Sequence, residues 1–230
     1  MLIEASASLE LLESGPFQDL SPQLKIALFL GSMALLSAAF VTMTAFTRIV
    51  IVFSFVRRAL STNEIPPNQV LLGLSLFMTL FVMAPTFQEI ETEAVRPYML
   101  GQISTIEALQ RSANAERKFM LRHTRQEDLL LFLNIAEHEL LESPEATPMH
   151  ILIPAFIISE LKTAFMMGFC LYLPFIVIDL VVSMILMALG MMMMPPVVIS
   201  TPCKILLFVM IDGWHLLAKA LCLSFDKIPG

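Results

Sequence analysis

The chain has 230 residues, 57% of them hydrophobic and only 15% charged, where ordinary soluble domains carry roughly 25% charge. That balance excludes an ordinary water-soluble domain and points to an integral membrane protein, or to one buried in a hydrophobic assembly. The net charge is −6, with no basic tail or stripe, which argues against nucleic acid as a partner.

In chain order, residues 1–23 form an N-terminal segment with Glu4, Glu10, Glu13 and Asp19 and no basic residue. A secretory signal peptide has a basic stretch ahead of its apolar core, so the first apolar segment is expected to act as an uncleaved membrane signal. Residues 24–88 read as a first helical hairpin. Its first arm contains 22 uncharged residues from Ile26 to Thr47, enough at ~1.5 Å per residue to cross a ~30 Å hydrocarbon layer. Arg48, "IVIVFSFV" and the pair Arg57-Arg58 follow. The second arm is uncharged from Ile65 to Gln88 and opens on Pro66-Pro67, where the missing proline N–H costs a helix nothing. The short linker between the arms predicts an antiparallel pair, and Arg57 and Arg58 place that linker on the cytoplasmic side.

Residues 89–147 hold 17 of the 34 charged residues and read as a water-exposed helical domain on the opposite, periplasmic side. Leu129, Phe132, Leu133, Ala136 and Leu140 recur at helical spacing, giving an amphipathic helix that ends near Ser143-Pro144. Residues 148–230 are apolar again and read as a second helical hairpin, two long helices with a break near 190–196. Gly190, Pro195 and Pro196 forbid a continuous helix there, and four methionines, Met191 to Met194, fill the break. Irregular backbone inside an apolar segment is tolerated only where it packs in protein or lines a cavity.

Charges stranded in this half are Glu160, Lys162, Asp179, Lys204, Asp212 and Lys219. Each costs at least ~2.5–3.5 kcal/mol at bilayer depth unless paired or wetted. Glu160 and Lys162 are too close in sequence to face each other on a helix, so Lys204 is the expected partner of Glu160. Asp179 and Asp212 are left for Lys162 or Lys219.

Cys170, Cys203 and Cys222 lie in apolar stretches and read as small buried hydrophobes. No nucleotide, zinc-protease or nucleophile-elbow motif is present, and the four histidines lack metal-ligand spacing. Conduction, assembly or signalling is therefore expected rather than catalysis, with no cofactor.

Five stretches carry a resemblance: "FTRIVIVFSFVRRAL", "IPPNQVLLGLSLFMTLFVMAPTF", "LIPAFIISELKTAFMMGF", "YLPFIVIDLVVSMILMALGMMMMPP" and "KILLFVMIDGW". They resemble, in order and across residues 24–225, the FliP family of type III protein-export gate subunits, whose injectisome branch is SctR. "SELKTAF" and "MMPP" are closer to the flagellar branch. Two features depart from it: no cleavable signal peptide is seen, and Ser61 stands where the family usually has Gly.

The resemblance implies an all-α, ring-forming subunit of a helical export gate in the bacterial inner membrane, at the flagellar basal body. About five copies would form the ring, completed by FliR and decorated by FliQ. FliF, FlhA and FlhB would be further partners, and unfolded flagellar proteins the cargo. It further implies that Met191, Met192, Met193 and Met194 form a pore gasket. Methionine is unbranched and polarizable, so a collar of such side chains can both close and yield to a passing chain. By the same resemblance, Glu160 and Lys204 form a salt bridge between subunits, and Phe119 and Phe132 lie at ring interfaces. Trp214 reads as an interface anchor. The alternatives are a subunit of the injectisome gate and, more remotely, a small-solute transporter, which would also carry broken helices and midplane charges.

Overall fold

The computed structural model of the protein describes residues 21–62, 65–136, 146–191 and 194–226. The fold is all-α, and among the described residues there is no strand. The chain divides into one unit up to Phe40 and a second from Val41 onward.

Helix α1, Pro22–Met43, is apolar all round and long enough to cross a membrane. Its serines do not break that character: Ser32 and Ser37 donate their hydroxyls to the carbonyls of Phe29 and Ala34 in the preceding turn.

In the second unit, α2 (Phe46–Ala59) is the central strut. Ile49, Val52, Phe53 and Val56 recur every three or four residues and are all buried. They pack along α8 (Met149–Ala188), whose Leu152, Phe156 and Ala164 share the same core. The contact is close. A Cβ on Gly168 would sit 2.5 Å from the Phe55 ring, so only glycine lets the two helices approach there. α8 has 40 residues, about 60 Å at ~1.5 Å per residue, twice the thickness of a hydrocarbon layer. It carries Pro154 and Pro174 inside an otherwise continuous helix.

α3 (Asn68–Val82) starts directly after Pro67 and packs against α2, with an Arg57–Asn68 hydrogen bond between them. At Met83 the chain bends by 57° into a helical run from Ala84 to Met99. That run comprises α4 (Ala84–Ile90), a π-helical stretch Glu91–Val95, and α5 (Arg96–Met99).

The charged segment continues with α6 (Thr105–His123) and α7 (Gln126–Ile135). α6 opens on a Ser104-x-x-Glu107 box, in which the Ser104 hydroxyl accepts from the Glu107 N–H at 3.2 Å. This segment shares its core with the membrane-type half. Phe119 and Met120 belong to the cluster that contains Leu152 and Phe156 of α8. The Ser159 hydroxyl of α8 accepts the Arg125 N–H at 2.8 Å and donates to the buried Asp128 carboxylate at 2.6 Å. Lys162 reaches Glu127 at 3.3 Å on the outer side. The later part of the expected amphipathic helix, including Leu140, lies outside the described residues.

The second half ends in α9 (Pro196–Met210) and α10 (Gly213–Asp226), bent by 64° at Ile211-Asp212, where Asp212 adopts φ 51°. This second bend lies outside the expected break near 190–196. Gly213 allows it, because a Cβ there would collide with the Phe208 ring at 2.3 Å. Among the described residues, α1 and α8 are each long and apolar enough to cross a membrane, and the two bent pairs raise the total to four if each counts as one span.

Candidate functional site

The break between α8 and α9 forms as the sequence predicts, and its geometry follows from two local signals. Gly190 takes φ +75°, a left-handed conformation that glycine adopts without penalty. Its N–H bonds the Met187 carbonyl at 3.1 Å, and the Met191 N–H bonds the Leu186 carbonyl at 3.0 Å. This pair of bonds is a Schellman stop, which satisfies carbonyls that the end of α8 would otherwise leave open. Pro195 then caps α9, and Pro196 opens it. Between the two signals, Met191 and Met194 are 41% and 39% exposed. Met192 and Met193 lie outside the described residues.

Beneath this turn is a buried ionic cluster. Lys204 of α9 is 1% exposed and donates to Asp179 Oδ2 of α8 at 2.5 Å and to Ser61 Oγ at 2.8 Å. At ~1.5 Å per residue the cluster lies about 12–16 Å from the methionine turn. Ser61 stands just past α2 with φ 56°, a left-handed conformation that glycine would adopt without penalty. Its hydroxyl gives the buried ammonium a second acceptor that glycine cannot. Asp179 Oδ1 and Ser200 Oγ are buried without a hydrogen-bond partner among the described residues.

A second ionic level lies 19 residues earlier on α8. Glu160, 0% exposed, holds a two-pronged pair with Arg48 of α2: Arg48 Nε donates to Oε2 at 2.8 Å, and Nη2 contacts Oε1. Arg48 Nη1 also donates to the Ser224 carbonyl at 3.1 Å and to Ser224 Oγ at 2.9 Å, and the guanidinium lies 3.8 Å over the Phe225 ring. One buried cation thus joins α2, α8 and the end of α10.

These two levels change the expected pairing. Within one chain Glu160 and Lys204 do not meet, since about 28 Å of α8 separates their levels. Asp179 serves Lys204 rather than Lys162 or Lys219, and Lys162 turns outward to Glu127. Asp212 is exposed at the α9–α10 bend. Sequence reading missed Arg48 as the partner of Glu160. The signal was available, because Arg48 is the single charge between Lys25 and Arg57.

Phe119 is buried in this chain, near-parallel to Phe225 at 6.5 Å and edge-on to Phe156 at 6.1 Å. Phe132 is half-buried on α7. Trp214 is exposed on one side and packs the other edge-on to Phe208 at 5.3 Å. Outside the apolar spans, burial pushes the Glu116 carboxyl of α6 up to about 7, and its Oε1 has no partner among the described residues.

Among the described residues, no three His, Cys, Asp or Glu side chains gather as a metal ion would require. The geometry provides pliable side chains at a helix break, held by buried ion pairs between long apolar helices. Known proteins share this sequence pattern. The chain is 51% identical over 208 residues to the flagellar biosynthetic protein FliP of Bacillus subtilis, covering 90% of this chain and 94% of the relative. It is 54% identical over 196 residues to that of Pectobacterium carotovorum, covering 85% and 76%. With that of Aquifex aeolicus the identity is 43% over 210 residues, covering 90% and 88%. The FliP family model matches residues 29–221. By these matches and by its all-α membrane-type architecture, the chain belongs to the FliP family.

Proposed function

We propose that the chain is a subunit of the flagellar protein-export gate in the bacterial inner membrane, a non-catalytic conduit for unfolded proteins. The observation that carries this reading is the Gly190 stop, which ends the 60 Å helix and leaves Met191 and Met194 exposed at the turn. Several copies arranged about an axis, with FliR and FliQ, would bring these turns together as a compliant collar. Met192 and Met193 belong to the same collar. FliF, FlhA and FlhB are the further partners of such a gate. Unbranched thioether side chains adapt to many shapes at low energetic cost, which suits a seal crossed by a polypeptide of varying side chains.

A salt bridge between Glu160 of one subunit and Lys204 of the next is part of this proposal. It requires a neighbour staggered along the helix and an exchange of the Arg48 and Asp179 contacts. Ring contacts through Phe132 and the rim of Phe119 belong to the same assembly.

The test is a cysteine at Met191 or Met194 in cells that export a substrate with a folded, blocking tail. Crosslinking of that cysteine to the stalled substrate is expected. Export with no crosslink at either position, while cysteines on the outer face of α8 do react, would overturn the reading.

A further inference from the structure

We propose that the cavity between the π-helical stretch and α6 binds a zwitterionic group of the phosphoethanolamine class, with its oxyanion on Arg117 and its ammonium on Glu93. The cavity holds about 310 Å³ and is lined by Glu93 of the π-helical stretch and by Arg111, Asn114, Arg117, Lys118 and Leu121 of α6. These α6 residues recur three or four apart, so one face of the helix forms the wall. The opposite wall is a π-helical turn, a rare conformation that is frequent at functional sites.

Two of the three basic side chains already have carboxylate partners. Arg111 Nη2 donates to Glu107 Oε1 at 2.8 Å, and its Nη1 donates to the Glu93 carbonyl at 3.1 Å. Lys118 Nζ donates to Glu89 Oε1 at 2.5 Å. Arg117 differs. Its Nη1 donates to Asn114 Oδ1 at 3.0 Å, and its Nε is shut off from water with no partner among the described residues. A buried N–H left without an acceptor is unfavourable, and the Nε edge of a guanidinium matches paired oxygens of a phosphate or carboxylate.

Glu93 is the complementary case. It is exposed, lines the same cavity, and its carboxylate has no ion pair among the described residues. A simple anion entering the cavity meets that carboxylate, and a simple cation meets the basic face of α6. A ligand that carries both charges satisfies the two unmatched groups together, and Leu121 offers apolar contact to the methylenes that link them. The same chemistry is presented by soluble phosphoethanolamine and by the headgroup of phosphatidylethanolamine. This site lies in the charged segment and stands whether or not the methionine turn lines a conduit.

The test uses the full chain in a neutral detergent. Calorimetric titrations with phosphoethanolamine, inorganic phosphate and ethanolamine read the free probes, and native mass spectrometry after addition of phosphatidylethanolamine or phosphatidylglycerol reads retained lipid. Phosphoethanolamine is expected to bind several-fold more tightly than phosphate or ethanolamine. Arg117→Gln should weaken that binding about tenfold or more, as expected for loss of a charged hydrogen bond. Glu93→Gln should erase the preference for phosphoethanolamine over phosphate, and because Glu93 is exposed this variant keeps the test decisive if Arg117→Gln does not fold. Binding of the soluble probe assigns a free ligand. Retention of phosphatidylethanolamine alone, lost in Glu93→Gln, assigns a membrane lipid. Phosphate binding as tight as phosphoethanolamine, equal retention of the two lipids, a preference that survives Glu93→Gln, or binding of neither the probe nor the lipid overturns the proposal.

Discussion

Lys204 and Asp179 form a buried ion pair that is unequal in its surroundings. The ammonium is 1% exposed, whereas the aspartate side chain is 36% exposed. Removing one partner of a buried pair strands the other, at about 3–5 kcal/mol where the stranded charge is fully buried. Asp179→Ala strands Lys204 in the interior and is expected to cost about that much. Lys204→Ala strands an aspartate that is only partly buried in the single chain and should cost less, about 1–3 kcal/mol. Thermal unfolding of the two variants in detergent checks the order, and equal losses would contradict it.

Ser61 combines an unfavourable backbone with a useful hydroxyl. The left-handed conformation costs a non-glycine residue about 1–2 kcal/mol, and a hydrogen bond to a charged group returns about 1.5–3 kcal/mol. Ser61→Gly removes both and should change stability by no more than about 2 kcal/mol, the largest difference between those terms. Ser61→Ala keeps the strain, loses the bond and should destabilise by about 1.5–3 kcal/mol. Comparison of the two melting curves separates conformation from chemistry.

The Arg48–Glu160 pair depends on guanidinium geometry. Its fork serves the carboxylate with two nitrogens while the third reaches Ser224. Arg48→Lys keeps the charge but supplies a single point donor, so it should not restore stability. Arg48→Met leaves Glu160 stranded at about 3–5 kcal/mol, and the double change Arg48→Met with Glu160→Met should recover most of that loss. Failure of the double variant to recover would show that the Ser224 contacts, rather than the ion pair, hold the end of α10.

At Gly168 the prediction concerns space alone. Gly168→Ala drives a methyl group into the Phe55 ring and should destabilise by about 1–3 kcal/mol through overpacking. Phe55→Leu should be a partial suppressor, because a smaller side chain frees that volume. Stability of the double variant, measured against each single change, reads the coupling.

Glu116 should make stability fall as the solution becomes more alkaline. Its folded value of about 7 lies above the ordinary 4.5, so the fold favours the protonated carboxyl. That contribution is full below about 4.5, declines as the pH rises and is gone above about 7. Glu116→Gln should raise the melting temperature at about pH 8 and leave it unchanged at about pH 4. An equal effect at both values would show that burial, not titration, sets the contribution.

Much of this architecture is legible in the linear order of residues. Uncharged runs mark the apolar helices, Pro67 and Pro196 mark helix starts, and Gly190 followed by Pro195 marks the break, because these residues act through their own backbone geometry. The exposed turn bearing Met191 and Met194 is readable for the same reason. What required the tertiary structure is partner choice among the buried charges. Nothing in the spacing of Glu160 joins it to Arg48, 112 residues away, or shows Asp179 beside Lys204 and Ser61. A charge in an apolar helix announces that it needs a counter-charge, but Coulomb attraction acts across space, and only the packing of α2 against α8 decides which counter-charge is near.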